Sequence, residues 1–271
     1  MIEHMRRGSD FDTYDAWSEA RYCRCFIKTP RPDRVDDVDA LRRLRLEGKL
    51  LLSFTHPHLV RAYEFLRPTD EHPPVLVIET LTGTTLSYLL RDGERLATRD
   101  LGYLGQHLCA ALRYMHDRGY LHLDIKPGNI IANEGSARII DLSLARRPGR
   151  YHGGTGTPVA MAPEQIRGGM LSSAVDVWGI GLVLYEAATG SQPFDTASAS
   201  EDETTSSRNG PQRFPQLEFR APSVRTKRRL PRLLADAIDR CLEPDPQHRP
   251  SLSELTAALT AVAGEGRPLS D

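Results

Sequence analysis

Between His122 and Asn129 the chain reads His-Leu-Asp-Ile-Lys-Pro-Gly-Asn, and twelve residues after Asn129 it reads Asp141-Leu142-Ser143. Asp124, Lys126 and Asn129 thus fall within six residues in a turn-prone segment. The apolar runs Ile130-Ile131 and Ala137-Arg138-Ile139-Ile140 flank Asn133-Glu134-Gly135-Ser136, a pattern that predicts a hairpin. A hairpin of that length returns Asp141 to the side of Asn129. Two oxygen ligands then face one place, which suits Mg²⁺, a hard cation that takes oxygen donors and keeps several waters. Asp124 stays free to accept a proton. Such a set suits phosphoryl transfer, where positioning and charge neutralisation supply most of the rate.

The elements that must carry these residues are legible in part. Residues 1–20 contain few clear periodicities, and a strand before Gly8 is nearly absent. Tyr22 to Ile27 reads as a strand with Lys28 at its end, and Cys23 and Cys25 alternate onto one face of it. Val38 to Phe54 reads as a helix, with Leu41, Leu44, Leu51 and Leu52 repeating near three and four and Glu47 inside it. Val60–Leu66 and Pro74–Ile78 read as strands, and Gly83-Thr84-Thr85-Leu86 opens a helix. Thr98 to Tyr120 is a long helix with Leu101, Leu104, Leu108, Ala111, Leu112 and Met115 on one stripe, ended by Gly119. Ser172-Ser173 are expected to cap the helix of Asp176-Val177-Trp178-Gly179. Residues 195–225 read as a long exposed loop, Leu230 to Leu242 as a helix, and Ser251 with Glu254 as a capping box for the last helix. Residues 264–271 read as a disordered tail.

Composition sets bounds. The 271 residues can bury a sizeable core, and 39 % apolar and 26 % charged residues with a net charge of −1 mark neither a disordered nor a membrane-embedded chain. Nucleic acid is not an implied partner: Arg42-Arg43-Leu44-Arg45 and Lys227-Arg228-Arg229 read as solvated helix faces. Four scattered cysteines make neither a disulfide framework nor a zinc site, and His56 with His58 lacks further ligands. The longest apolar run, Val177 to Tyr185, is too short to span a bilayer, so a soluble cytoplasmic protein is expected.

The order H-x-D-x-K-x-x-N followed by D-x-x resembles the catalytic loop and magnesium motif of eukaryotic-like, Hanks-type serine/threonine protein kinases. The resemblance runs over roughly residues 11 to 260. It implies a bilobal α+β fold: a small, mostly antiparallel β N-lobe with one helix over 1–80, and a larger, mostly helical C-lobe over 81–263. It implies ATP and Mg²⁺, a protein substrate, and possible self-association for autophosphorylation. Lys28, paired with Glu47, is implied to contact the α- and β-phosphates, Asn129 and Asp141 to hold Mg²⁺, Asp124 to accept the acceptor's proton, and Lys126 to steady the γ-phosphate. Gly8 belongs to the turn over the phosphates, Glu79 and Leu81 to the hinge that meets adenine, and Ile131 to the cofactor-binding set. His122 is implied to be structural, Thr157 to bond near Asp124 and Lys126, Glu164 to pair with Arg249, and Asp176 to hold the catalytic-loop backbone.

Departures from the family pattern are specific. Asp12 occupies the last glycine position of the phosphate turn, where a carboxylate should repel polyphosphate. Phe26 replaces a small residue against adenine, Leu142 replaces a phenylalanine, and Ser143 a glycine. Leu123 replaces the arginine that in many kinases pairs with a phosphorylated activation-segment residue, so phosphate on Thr155 or Thr157 lacks that partner. A kinase fold used only for binding and a small-molecule phosphotransferase stand as alternatives to a protein kinase.

Overall fold

The computed structural model describes residues 2–70, 72–194 and 214–264. The chain opens with a strand that its sequence does not announce. β1 (Ile2–Arg7) pairs antiparallel with β2 (Phe11–Ser18). Residues 3–7 are all exposed, so this edge strand is made by backbone pairing and carries no apolar alternation to read. β3 (Cys23–Pro30), β4 (Ala62–Leu66) and β5 (Val75–Glu79) complete an antiparallel sheet in the order β1-β2-β3-β5-β4. Lys28 lies within β3, two residues before its end.

The register sorts this sheet into two faces. Thr13 and Leu76 lie opposite Lys28, and Asp15 and Ile78 lie opposite Phe26. Alternation therefore puts Phe11, Phe26, Lys28, Leu76 and Ile78 on one face. That face meets the main core, whereas Ala16, Cys25 and Val77 form a separate small cluster on the other. The core-side face is covered by α1 (Val38–Ser53), whose first turn is capped by Asp37 accepting from the Asp39 and Ala40 N–H groups at 3.0 Å each. Its inner face is Ala40, Leu44, Glu47, Gly48, Leu50 and Leu51, while Leu52 turns out to solvent at 49 % exposure. Gly48 lets α1 rest on β4: a Cβ there would stand 2.6 Å from the Phe65 ring.

Beyond residue 80, β6 (Thr84–Thr85) pairs with a later hairpin before the short helix α2 (Leu86–Leu89) begins. α3 (Thr98–His116) buries its expected stripe and stops four residues short of Tyr120, with Gly119 at φ 76° in the turn that follows. The hairpin is β7 (Ile130–Asn133) and β8 (Ser136–Ile139), closed by Asn133 opposite Ser136. Glu134 and Gly135 take φ of 44° and 77°, the left-handed pair that matches strand twist. β9 (Gly149–Tyr151), α4 (Pro163–Arg167) and β10 (Gly169–Leu171) follow, β9 pairing with β10. α5 (Ala174–Thr189) is buried along nearly its whole length and stands as the post of the helical half. α6 (Pro215–Glu218), α7 (Arg232–Cys241) and α8 (Leu252–Ala263) close the chain, α8 lying on α3 where Gly102 and Gly105 admit Ala263 and Leu259.

The Ser251–Glu254 capping box forms as expected. Ser173 does not cap: its backbone is already helical, so its side chain makes no cap bond, and Ser172 Oγ accepts only a long 3.4 Å contact from Ala174. The expected loop at 195–225 contains α6 and a 3₁₀ turn at Val224–Thr226, and 195–213 lies outside the described residues. The expected tail likewise falls at 265–271, outside them. Lys227-Arg228-Arg229 precedes α7, and it is no solvated helix face. Arg228 Nη1 donates to the Leu96 carbonyl, just before α3, at 2.7 Å and to the Ala188 carbonyl, an orphan group at the end of α5, at 3.0 Å.

Candidate active site

The floor of the site rests on one buried carboxylate. Asp176, in the first turn of α5, accepts the His122 N–H with Oδ2 and the Leu123 N–H with Oδ1, both at 2.9 Å. His116 Nε2, from the last turn of α3, meets Oδ2 at 2.7 Å. Burial opposes this charge, but His116 and the His122 amide hold the carboxyl below its ordinary range. With Asp176 so placed, Leu123 is held at φ 69°, which an L residue with a side chain rarely adopts. His122 is buried, its Nδ1 accepts the Asp124 N–H at 3.2 Å, and burial lowers its pKa. A neutral, enclosed imidazole supports the loop rather than taking a proton from an acceptor.

The turn so fixed presents Asp124. Lys126 Nζ donates to Asp124 Oδ2 at 2.6 Å and also bonds Thr157 Oγ1, while the Thr157 N–H donates to Asp124 Oδ1 at 3.2 Å. Asn129 Nδ2 donates to both the Asp124 carbonyl and Oδ2 at 2.9 Å. The Ile140 N–H donates to the Asn129 carbonyl at 3.0 Å, so the hairpin returns the chain to Asn129 as its length requires.

Asp141, next along, meets the N-terminal half. Lys28 Nζ lies 2.8 Å from Glu47 Oε2 and 3.2 Å from Asp141 Oδ1. Burial disfavours the ammonium, yet Asp141 and Glu47 outweigh it and hold Lys28 charged, above its ordinary pKa. Burial also works against Asp141, and Lys28 with the Ser143 N–H, at 2.9 Å, keeps its carboxyl well below the usual range. Glu47 is fully buried, and burial pushes it up to about 7 against the pull of Lys28.

The roof differs from expectation. Asp12 does not face Lys28: it lies on the opposite face of β2, fully buried, with Arg7 donating to both its oxygens at 3.0 Å and His4 at 3.3 Å. The Arg7 bonds hold its carboxyl below the ordinary range, and the pairing removes the expected repulsion. Its neighbour Phe11 instead covers the cation, its ring centroid 5.0 Å from Lys28 Nζ. Gly8 donates its N–H to the Phe11 carbonyl at 2.8 Å, closing the β1–β2 turn, and Arg31 Nη1 binds the Gly8 and Ser9 carbonyls at 3.2 Å. Phe26 is half-buried on the face of Lys28 and packs against the main core. At the end of β5, Glu79 Oε1 accepts the Arg61 N–H at 2.8 Å and Arg138 Nη1 at 3.3 Å; Leu81 and Ile131 are half-buried.

At the far end, Arg249 Nη1 and Nη2 hold Glu164 at 2.6 and 2.8 Å, and its remaining donors take the Glu243, Ala174 and Pro244 carbonyls. Thr155 is half-buried between this end and the catalytic loop.

Comparison with known proteins decides the family. A family model, the protein kinase domain, matches residues 3–259. The chain belongs to the protein kinase family. It is 32 % identical over 246 residues to serine/threonine-protein kinase PkaA of Streptomyces coelicolor, covering 88 % of this chain and 42 % of that protein. It is 30 % identical over 224 residues to serine/threonine-protein kinase ULK3 of Homo sapiens, 80 % of this chain and 45 % of that one. A probable serine/threonine-protein kinase PknB of Bifidobacterium longum is 32 % identical over 64 % of the chain and 27 % of its own length. The chain thus spans under half the length of these relatives. The resemblance to serine/threonine kinases and the bilobal α+β fold are borne out, and the match begins at residue 3, eight residues before the point expected from the motifs.

In this kinase domain the residues present fit Mg²⁺. Asn129 spends its amide nitrogen on Asp124, which turns its carbonyl oxygen away, and Asp141 is kept ionised, so the pair offers two hard oxygen donors. Three residues that hold the kinase site together escape sequence reasoning. His116 is one, legible only as a basic residue in the last turn of α3. Gln165 follows Glu164 directly, is 4 % exposed, and reaches the catalytic loop. Gln216 Nε2 donates to the Pro158 and Met161 carbonyls at 2.8 and 3.2 Å from an unannounced single-turn helix.

Proposed function

We propose that this kinase domain transfers the γ-phosphoryl group of ATP to serine or threonine hydroxyls of protein substrates, its own included, in the cytoplasm. The observation that carries this is the simultaneous hold of Lys28 by Glu47 and Asp141, at 2.8 and 3.2 Å, which joins the sheet half to the catalytic half around one charge. In this reading residues 1–80 form the nucleotide-covering lobe and 81–263 the lobe that carries acceptor and transfer residues, with the boundary at 79–83. Lys28 grips the α- and β-phosphates. Asn129 and Asp141 hold Mg²⁺, which neutralises charge on the phosphates when bound. Asp124 orients the acceptor hydroxyl and takes its proton, Lys126 faces the transferred group, and Thr157 keeps both in register. Glu79 and Leu81 meet the adenine edge through their backbones, Gly8 covers the phosphates, and Ile131 lies beneath the nucleotide. A lost charge in such a set costs about 10²–10³ in rate.

The second reading, a binding module without transfer, is favoured by the two aromatic side chains, Phe11 and Phe26, on the cleft face. Radiolabelled ATP with Mg²⁺ separates them, using wild type, Asp124→Asn and Lys28→Met. Label on protein that vanishes in both variants supports transfer. Nucleotide binding without label in wild type sinks it, and label only on a small metabolite supports a small-molecule phosphotransferase. Among the described residues no helix is long and apolar enough to cross a membrane.

A further inference from the structure

Leu123 cannot hold an activation-segment phosphate, yet the segment from Thr155 to Ala162 is tied to the catalytic loop. Beside the contacts of Thr157 with Asp124 and Lys126, one tie is a neutral side chain. Gln165, buried in α4, donates from Nε2 to the Leu123 carbonyl at 3.0 Å and to the Thr155 carbonyl at 3.2 Å, and accepts the Ala162 N–H on Oε1 at 3.0 Å. Both donors and the acceptor of the amide are engaged. Its own backbone carbonyl accepts the Gly154 N–H at 3.0 Å.

These bonds close a ring around the proton acceptor. Leu123 precedes Asp124, Asp124 Oδ1 holds the Thr157 N–H at 3.2 Å, and Thr155 lies two residues before Thr157. Asp176 fixes the Leu123 N–H and Gln165 fixes its carbonyl, so the peptide units on either side of the φ 69° residue are pinned from opposite directions. The ring is tight as well as closed: a Cβ on Gly156 would come 2.7 Å from Met161 Cγ and 3.4 Å from Gln165 Nε2.

Building on the transfer activity proposed above, we infer that Gln165 is a positioning residue that holds Asp124 and Thr157 in working register through uncharged hydrogen bonds, in place of a phosphate-dependent link. The acceptor side is then assembled without phosphorylation of Thr155 or Thr157.

Gln165→Glu tests this because it keeps length and volume while turning ionised oxygens toward two carbonyls. At pH 8 its kcat falls at least about 30-fold with nucleotide Kd within twofold of wild type, as expected for a lost buried hydrogen-bond set. Between pH 8 and pH 6 its activity relative to wild type rises at least about fivefold, because a buried carboxyl takes a proton and regains a donor. A purely structural role would instead lower the fraction of folded protein and leave kcat per folded molecule unchanged. Gln165→Met, which fills the space and makes none of the bonds, shows the low kcat without recovery at pH 6. Phosphatase-treated wild type keeps its turnover within twofold. In both variants, amide exchange at Thr157 and Ala162 speeds at least about tenfold, while α3 is unchanged.

Variants within threefold of wild type in kcat, unchanged exchange at Thr157 and Ala162, or turnover lost on phosphatase treatment each overturn the inference. A wild type that never transfers label overturns the proposed activity, and the exchange measurement then still decides the role of Gln165 in holding the ring.

Discussion

Glu47 Oε1 accepts the Leu142 N–H at 3.2 Å while its other oxygen lies 2.8 Å from Lys28 Nζ. One side chain of α1 therefore clamps both the cation and the residue that follows Asp141, coupling the helix to the two charges it organises. Glu47→Gln keeps an acceptor for Leu142 and loses the charge facing Lys28. Its kcat/KM should fall about 10²-fold, the range seen when one preorganised electrostatic contact is removed. Because burial pushes Glu47 up to about 7, wild-type kcat/KM should decline as pH drops through that value. Steady-state rates from pH 5.5 to 8.5 check both points, and an acid limb that persists unchanged in Glu47→Gln assigns the limb elsewhere.

The Arg249–Glu164 pair is enclosed: the arginine side chain is 0 % and the glutamate 12 % exposed. Arg249→Met leaves that carboxylate and three carbonyls without their donor. The expected loss is about 3–5 kcal/mol of unfolding free energy, read from urea denaturation, because breaking a buried pair strands the partner charge. Replacing both, as Arg249→Met with Glu164→Leu, should cost less than the single change. Equal losses in the two would mean that the carbonyls, and not the carboxylate, set the penalty.

Phe26 stands where the sheet faces the cleft, half-buried against the core. Phe26→Ala should open room for the nucleotide and lower KM for ATP several-fold, while removal of packed ring atoms lowers stability by about 3 kcal/mol or less, the ring being only partly enclosed. An unchanged KM together with a lower melting temperature would show that the ring belongs to the core alone.

His58 and His107 stack at 3.9 Å between centroids, and His58 Nδ1 lies 2.9 Å from the Ala137 carbonyl. Burial pushes His107 down to about 4, from an ordinary 6.5, with His58 adding to the effect. The unfolded imidazole takes its proton near 6.5 and the folded one resists until about 4. This contribution to stability is therefore complete above pH 6.5 and drains as pH falls toward 4. Urea midpoints at pH 7 and pH 4.5 should differ less in His107→Gln than in wild type; an equal difference would place the acid sensitivity at other groups.

Much of the fold was legible because it follows periodicity. The buried stripe of α3, the β7–β8 hairpin with its Glu134-Gly135 turn and the Ser251 capping box all appear where local pattern puts them. The contacts among Asp124, Lys126 and Asn129 were legible for another reason, these residues being crowded within one loop. What escaped depends on partners far along the chain. β1 has no apolar alternation and exists by pairing with β2. Asp12 read as a charge near phosphate until the register placed it opposite Arg7, on the face away from Lys28. Gln165 and His116 are ordinary residue types on helices, and only tertiary packing gives Leu123 and Asp176 to them.

Gly48 also limits how far α1 can move. With the Phe65 ring where a side chain would begin, α1 has no slack against β4, and Glu47 is the neighbouring residue. A displaced α1 would have to unpack that ring and strand the buried Glu47 at the same time. The two losses add, so the displaced arrangement is a sparsely populated state, and an effector that worked by moving this helix would need correspondingly large differential affinity for it.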